Sequence, residues 1–167
     1  MSVQEHRQTN IGSVRCAIIT VSDTRTSDTD SSARAIADLL GAGGHDVALR
    51  RIVKDDPTAV VACIRDVMAL TDVPVIITTG GTGITSRDST YEAVTALMDK
   101  QLTGFGELFR MLSYPEIGAA AMMTRATAGV IERRAVFVLP GSEHAVRLAL
   151  TKLIVPELRH VVRELNR

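Results

Sequence analysis

Apolar and polar positions alternate along this chain with two different periods. Val14–Val21 is rich in branched residues and predicts a buried strand. Ser22–Asp30 follows, too rich in Ser, Thr and Asp for a core element. Ala33, Ile36, Ala37 and Leu40 then recur at helical spacing and predict a helix over Ser31–Leu40. Gly41, Gly43 and Gly44 end it, since glycine enters left-handed conformations without a Cβ clash. Val47–Val53 predicts a second strand. Asp55-Asp56-Pro57 opens a second helix, with Pro57 in its first turn and Asp56 as candidate N-cap. Val60, Val61, Ile64, Val67 and Met68 form its apolar stripe, and Val73–Ile77 predicts a third strand. Strand, helix, strand, helix, strand is a βαβ pattern. It implies an α/β fold with a mostly parallel sheet and helices on both faces.

Further on, the pattern predicts a helix over Ser89–Met98, a break at Gly104-Phe105-Gly106 before Glu107–Leu112, and a helix within the alanine-rich residues 115–128. Gly129-Val130-Ile131 reads as a short edge strand before a turn at Glu132-Arg133, and Ala135–Leu139 as a strand ending in Pro140-Gly141. Ser142 can cap a helix carrying Ala145, Val146, Ala149, Leu150 and Leu153, and a last helix is expected from Glu157 to Leu165. Residues 1–13 are expected to be a flexible tail, and residues 14–167 one domain.

Composition narrows the function classes. No apolar run approaches the length of a membrane span, and the start lacks the apolar stretch of a secretory signal. With 19 Lys and Arg against 19 Asp and Glu, a general nucleic-acid grip is not expected. Phe105, Phe109, Phe137, Tyr91 and Tyr114 are the only aromatics, a poor supply for base stacking. Cys16 and Cys63 belong to no metal-spaced cluster; free, buried cysteines fit a cytoplasmic protein. His6, His45 and His160 show no zinc spacing, and His144 beside Ser142 forms no Ser-His-Asp order.

Parallel α/β sheets place ligands beyond the carboxyl ends of their strands. Ser22–Thr29, Lys54–Pro57, Thr79–Asp88 and Pro140–His144 share that address. Within the third, Gly80-Gly81-Thr82-Gly83 is neither G-x-G-x-x-G nor a P-loop, which argues against a dinucleotide oxidoreductase. Backbone N–H groups in such a bend can cradle a phosphate; a plain strand-to-helix turn is the alternative. Asp88 is either a Mg²⁺ ligand or a cap for the helix after it. Of Asp55 and Asp56, one can face the ligand while the other caps. Asp23, Asp28 and Asp30 could supply oxygen or form a solvated acidic loop. Arg87 and Lys54 can neutralise phosphate charge or be surface charge. Arg110 and Arg125 are open between ligand contacts and packed ion pairs.

Several segments together resemble the MoaB/Mog family of molybdenum cofactor biosynthesis proteins. They are Thr20-Val21-Ser22-Asp23, Thr79-Gly80-Gly81-Thr82-Gly83, Arg87-Asp88, Gly104-Phe105-Gly106-Glu107-Leu108-Phe109-Arg110, Ile117-Gly118, Thr124-Arg125-Ala126 with Ala128-Gly129, and Leu139-Pro140-Gly141-Ser142. The Gly-Phe-Gly-Glu-Leu-Phe-Arg segment is most similar to the MoaB branch. Many relatives have a proline near position 91, where this chain reads Ser89-Thr90-Tyr91, a departure that bears on the helix start. The resemblance implies a three-layer α/β/α molybdopterin-binding fold and a homo-oligomer, trimeric or hexameric. It implies adenylylation of molybdopterin by Mg²⁺ and ATP with release of pyrophosphate, or else a non-catalytic carrier of molybdopterin. It makes Asp55 and Asp88 the catalytic, Mg²⁺-associated carboxylates. Thr79, Gly80, Gly81, Thr82 and Gly83 become the phosphate-facing loop, with Ser22, Asp23, Ser86, Gly141 and Ser142 as candidate pocket residues.

Overall fold

The computed structural model describes residues 11–167. The first ten residues of the expected tail lie outside them. Six strands form one sheet in the order β2-β1-β3-β6-β5-β4. They are β1 (Arg15–Val21), β2 (Asp46–Val53), β3 (Val75–Thr79), β4 (Lys100–Gln101), β5 (Thr127–Ile131) and β6 (Arg134–Leu139). The first four positions in the sheet run parallel, β5 runs antiparallel to them, and β4, antiparallel to β5, returns to their direction.

Alternation along the strands builds the layers. Cys16 and Ile18 of β1 enter one core with Val75, Ile77, Phe137 and Leu139. Ala17, Ile19 and Val21 enter the other with Ile76, Val136 and Val138. Helices α1 (Ser31–Ala42), α4 (Thr103–Ile117), α5 (Glu143–Ala149) and α6 (Val155–Leu165) cover the first face through Ile36, Leu40, Phe109, Val146 and Leu158. Helices α2 (Pro57–Met68) and α3 (Thr90–Thr95) cover the second through Val60, Ile64, Val67 and Val94. The result is the α/β/α sandwich expected of the βαβ pattern. No helix among the described residues is long and apolar enough to cross a membrane.

Several local expectations change. Thr78 and Thr79 belong to β3, buried and paired with β6, while Val73 and Pro74 precede the strand. Gly104 and Gly106 do not break the chain but lie inside α4. Gly106 packs so closely that an added Cβ would sit 2.7 Å from Ala126 O, so this glycine serves close approach rather than chain reversal. The alanine-rich segment is not one helix: α4 contains Pro115 and stops at Gly118, whose φ is 62°. A 3₁₀ segment over Gly118–Met123 leads into β5, which is an inner strand with β4 outside it. Finally, α5 runs into α6 through wider π-type turns at Leu150–Ile154. Pro156 lacks the N–H that would close the preceding α-helical turn.

Candidate functional site

Neighbours β2 and β3 lie on opposite sides of β1, so connections leave β1 and β3 in opposite directions across the sheet. A crevice opens beyond the carboxyl ends of strands at such a point. The four expected loops meet there. Ser22 N–H donates to Val53 O at 2.9 Å, joining the ends of β1 and β2. Gly80 N–H donates to Leu139 O at 3.0 Å, and the buried Thr79 hydroxyl donates to Pro140 O at 2.9 Å, joining the ends of β3 and β6. Gly141 packs on Gly80, where an added Cβ would lie 3.4 Å from Gly80 Cα. Ser32 Oγ donates to Gly141 O at 2.8 Å and Arg25 to the same oxygen at 3.4 Å, fixing the Pro140-Gly141 turn from α1.

The glycine-rich bend needs its glycines. Gly80 and Gly81 have φ of 100° and 67°. A Cβ on Gly81 would crowd Thr90 and lie 3.2 Å from Asp55 Oδ1, and one on Gly83 would lie 2.6 Å from Asp88 Oδ2. Asp55 and Asp88 therefore flank the same bend, from the β2–α2 loop and from the far end of the bend itself.

The acidic residues divide their tasks. Asp56 is the N-cap of α2, accepting from Ala59 N–H at 2.8 Å, and this leaves Asp55 turned toward the bend. Asp55 Oδ1 is buried with no hydrogen-bond partner. Burial, then Asp88 and Asp23, push its carboxyl above the usual range, with Arg87 opposing. Asp88 does not cap α3; Ser89 holds that position without a side-chain cap bond. Asp88 Oδ2 instead accepts from Thr85 N–H at 2.9 Å and Thr85 Oγ1 at 2.5 Å. Those bonds, the Thr85 hydroxyl first, hold its carboxyl below the usual range against the cost of burial. Asp23 accepts from Asp55 N–H at 3.1 Å and pairs with Arg87 at 2.6 Å. Ser22 Oγ accepts from Arg25 N–H at 3.1 Å, and Ser142 Oγ caps α5 through Ala145 N–H at 3.2 Å. Thr82 is buried, and Ser86 is exposed beside Arg87. Asp30 is not a solvated loop residue: it is buried, caps α1, and accepts from Thr20 Oγ1 at 2.5 Å.

The reading of the sequence gave Thr90 no part in the site and left Arg125 open between a ligand contact and a packed ion pair. Thr90 Oγ1 is buried without a partner, against Gly81 like Asp55. Arg125 reaches the bend from the segment just before β5, donating to Thr82 O at 3.2 Å and Gly83 O at 2.5 Å. Its place in the Thr124-Arg125-Ala126 segment was the available signal.

A divalent cation suits this donor set. Mg²⁺ is commonly held by one or two carboxylates together with substrate phosphates rather than by a full protein cage. Among the described residues no group of three or more His, Cys, Asp or Glu forms such a cage. An unpartnered carboxylate oxygen beside an amide-rich bend fits the shared arrangement.

Comparison with known proteins agrees with this architecture. The family model described as "Probable molybdopterin binding domain" matches residues 17–160. The molybdenum cofactor biosynthesis protein B of Bacillus cereus is 52% identical over 168 residues, covering 100% of this chain and 99% of its own. That of Staphylococcus carnosus is 46% identical over 171 residues and is covered completely in both directions. A crystal structure of a molybdenum cofactor biosynthesis protein B has a TM-score of 0.91 at 53% identity, over 93% of this chain and 97% of that one. The tungsten cofactor synthesizing protein MoaB of Pyrococcus furiosus has a TM-score of 0.83 at 37% identity, over 93% and 98%. The chain belongs to the MoaB/Mog family of molybdopterin-binding proteins, whose role lies in molybdenum cofactor biosynthesis.

Proposed function

We propose that this protein joins molybdopterin to AMP from ATP, with release of pyrophosphate, in the crevice between Asp55, Asp88 and Gly80–Gly83. The observation that carries this is Asp55: a carboxylate oxygen buried without a partner, beside Asp88 and an amide-rich bend. Asp55 and Asp88 would hold Mg²⁺, which supplies neutralisation of charge on nucleotide and pyrophosphate. The molybdopterin phosphate oxygen bonds to the α-phosphorus of ATP as the bond to pyrophosphate breaks. The bend's amides bind phosphoryl oxygens, and Thr82 and Ser86 are hydroxyl donors. Arg87 adds positive charge at the mouth. No protein nucleophile is needed; positioning and charge stabilisation carry the rate. Ser22, Asp23, Gly141 and Ser142 shape the pocket wall. The exposed apolar Leu108, Met111, Tyr114 and Ile117 along α4 support a working homo-oligomer, trimer or hexamer.

One observation favours a second reading. Asp88 Oδ2 is already engaged by Thr85, and Arg87 by Asp23, as suits a binding protein that carries molybdopterin without ATP chemistry. Purified protein with molybdopterin, ATP and Mg²⁺ separates the two when adenylylated pterin and pyrophosphate are measured together. Catalysis predicts both products, and Asp88→Asn then loses ~2.7–4 kcal/mol of transition-state stabilisation. Pterin binding without either product selects the carrier.

A further inference from the structure

We propose, resting on the adenylylation reading for its catalytic consequence only, that Arg125 is a positioning residue setting which way the amides of the glycine-rich bend point. Its guanidinium grips the back of the bend at several atoms. Nε donates to Thr82 O at 3.2 Å, and Nη2 donates to Gly83 O at 2.5 Å and to Asp88 O at 3.4 Å. The grip is itself fixed: Nη1 pairs with Glu92, and the guanidinium carbon lies 5.0 Å from the centroid of the Tyr91 ring.

The peptide bonds here are trans, so each C=O and the N–H that follows it point in opposite directions. Drawing the Thr82 and Gly83 carbonyls to Arg125 turns the N–H groups of Gly83 and Ile84 to the other side. The Gly83 N–H accordingly faces the Asp88 carboxylate. Asp88 also takes Thr85 N–H and Oγ1, so Arg125 and Asp88 hold the bend from opposite sides.

Arg125 is seated in turn by α4. Arg110 Nη1 reaches Thr124 O at 3.4 Å and Ala126 O at 3.5 Å, on either side of Arg125. Gly106 lets α4 approach this segment more closely than any side chain would permit. Two segments distant from the bend in sequence, one around Gly106–Arg110 and one around Thr124–Ala126, thereby act on the phosphate-facing bend.

The test compares Arg125→Ala and Arg125→Lys with the wild type by amide hydrogen exchange and by steady-state kinetics. The amides of Thr85, Asp88 and Thr90 are hydrogen-bonded within the loop. In R125A they exchange about tenfold faster or more, while β3 amides keep their wild-type rates. Turnover falls by ~10–100-fold, the usual loss on removing a residue that orients a reacting group. R125K melts at the wild-type temperature yet restores neither property, because an ammonium lacks the planar fork. Wild-type loop exchange in R125A, or full turnover in R125K, overturns the proposal. A wild-type protein that releases no pyrophosphate defeats the adenylylation reading alone. Loop exchange in R125A then decides the role of Arg125, faster exchange supporting it and unchanged exchange overturning it. If R125A does not fold, R125K carries the same exchange comparison.

Discussion

Gly80→Ala is the sharpest test of how this fold builds its crevice. Gly80 has a φ of 100°, where side chains are rarely accommodated. A Cβ placed there falls under 3.0 Å from Val21 O and lies 3.3 Å from the Val21 carbonyl carbon. The obstacle is backbone at the end of the inner strand β1, which cannot swing aside as a side chain could. The left-handed conformation costs ~1–2 kcal/mol for a residue with a Cβ. Forcing an atom into a packed region costs a further ~1–3 kcal/mol. Together the loss is ~2–5 kcal/mol, a large part of the ~5–15 kcal/mol that holds a typical domain together. At about 2–4 °C per kcal/mol for a chain of this size, the melting temperature drops by roughly 4–20 °C. Thermal and urea unfolding measure the loss. Gly104→Ala is the control, since nothing lies within 4 Å of its added Cβ and it sits in α4. That change should stabilise by ~0.4–1 kcal/mol. A Gly80→Ala protein with the wild-type melting temperature would refute the packing account of the bend.

Three further outcomes follow from the same geometry. His45 Nδ1 accepts from Val14 N–H at 3.2 Å, and its buried Nε2 has no partner. Burial, then Arg159, hold its pKa below the ordinary 6.5 against the pull of Asp46, so the unfolded chain takes up this proton first. Stability should therefore fall as pH drops from about 6.5 toward the folded value and be unaffected above it, and His45→Gln should flatten urea melts across that window; equal pH dependence in both proteins would count against it. The carboxyl of Asp55 is raised above 3.8, so its contribution to stability falls as pH rises through the window just above that value. Asp55→Asn should then raise the melting temperature without divalent cation and abolish any rise that Mg²⁺ gives the wild type; a lower melting temperature contradicts the repulsion. Asp56→Ala removes the α2 cap and should cost ~0.5–2 kcal/mol in urea unfolding with ligand binding intact; loss of binding would undo the division between the two aspartates.

The layers of this protein were written in its apolar periodicity, because burial acts on each strand and helix through neighbours along the same segment. Ile18 against Ile19, or Ile36 and Leu40 on one helical face, declare their sides locally. The site was half legible for the same reason: polar loops after parallel strands share one edge wherever the strands lie in the sheet. Local patterns also announced Asp56 as a cap and glycine at the bend. What they left open were contacts between residues distant in the chain. Gly106 looked like a breaker because its role, touching Ala126, lies outside its own helix. Thr78 and Thr79 looked like loop because pairing with β6 is what draws them into the strand. Asp88 could have been a cap until folding gave its carboxylate to Thr85. The task of Arg125 exists only once β5 is brought beside the bend, 42 residues away from the Gly83 carbonyl it holds. Secondary structure follows from periodic burial along the chain, whereas the direction of a carboxylate or a guanidinium is decided by partners that only the folded sheet assembles.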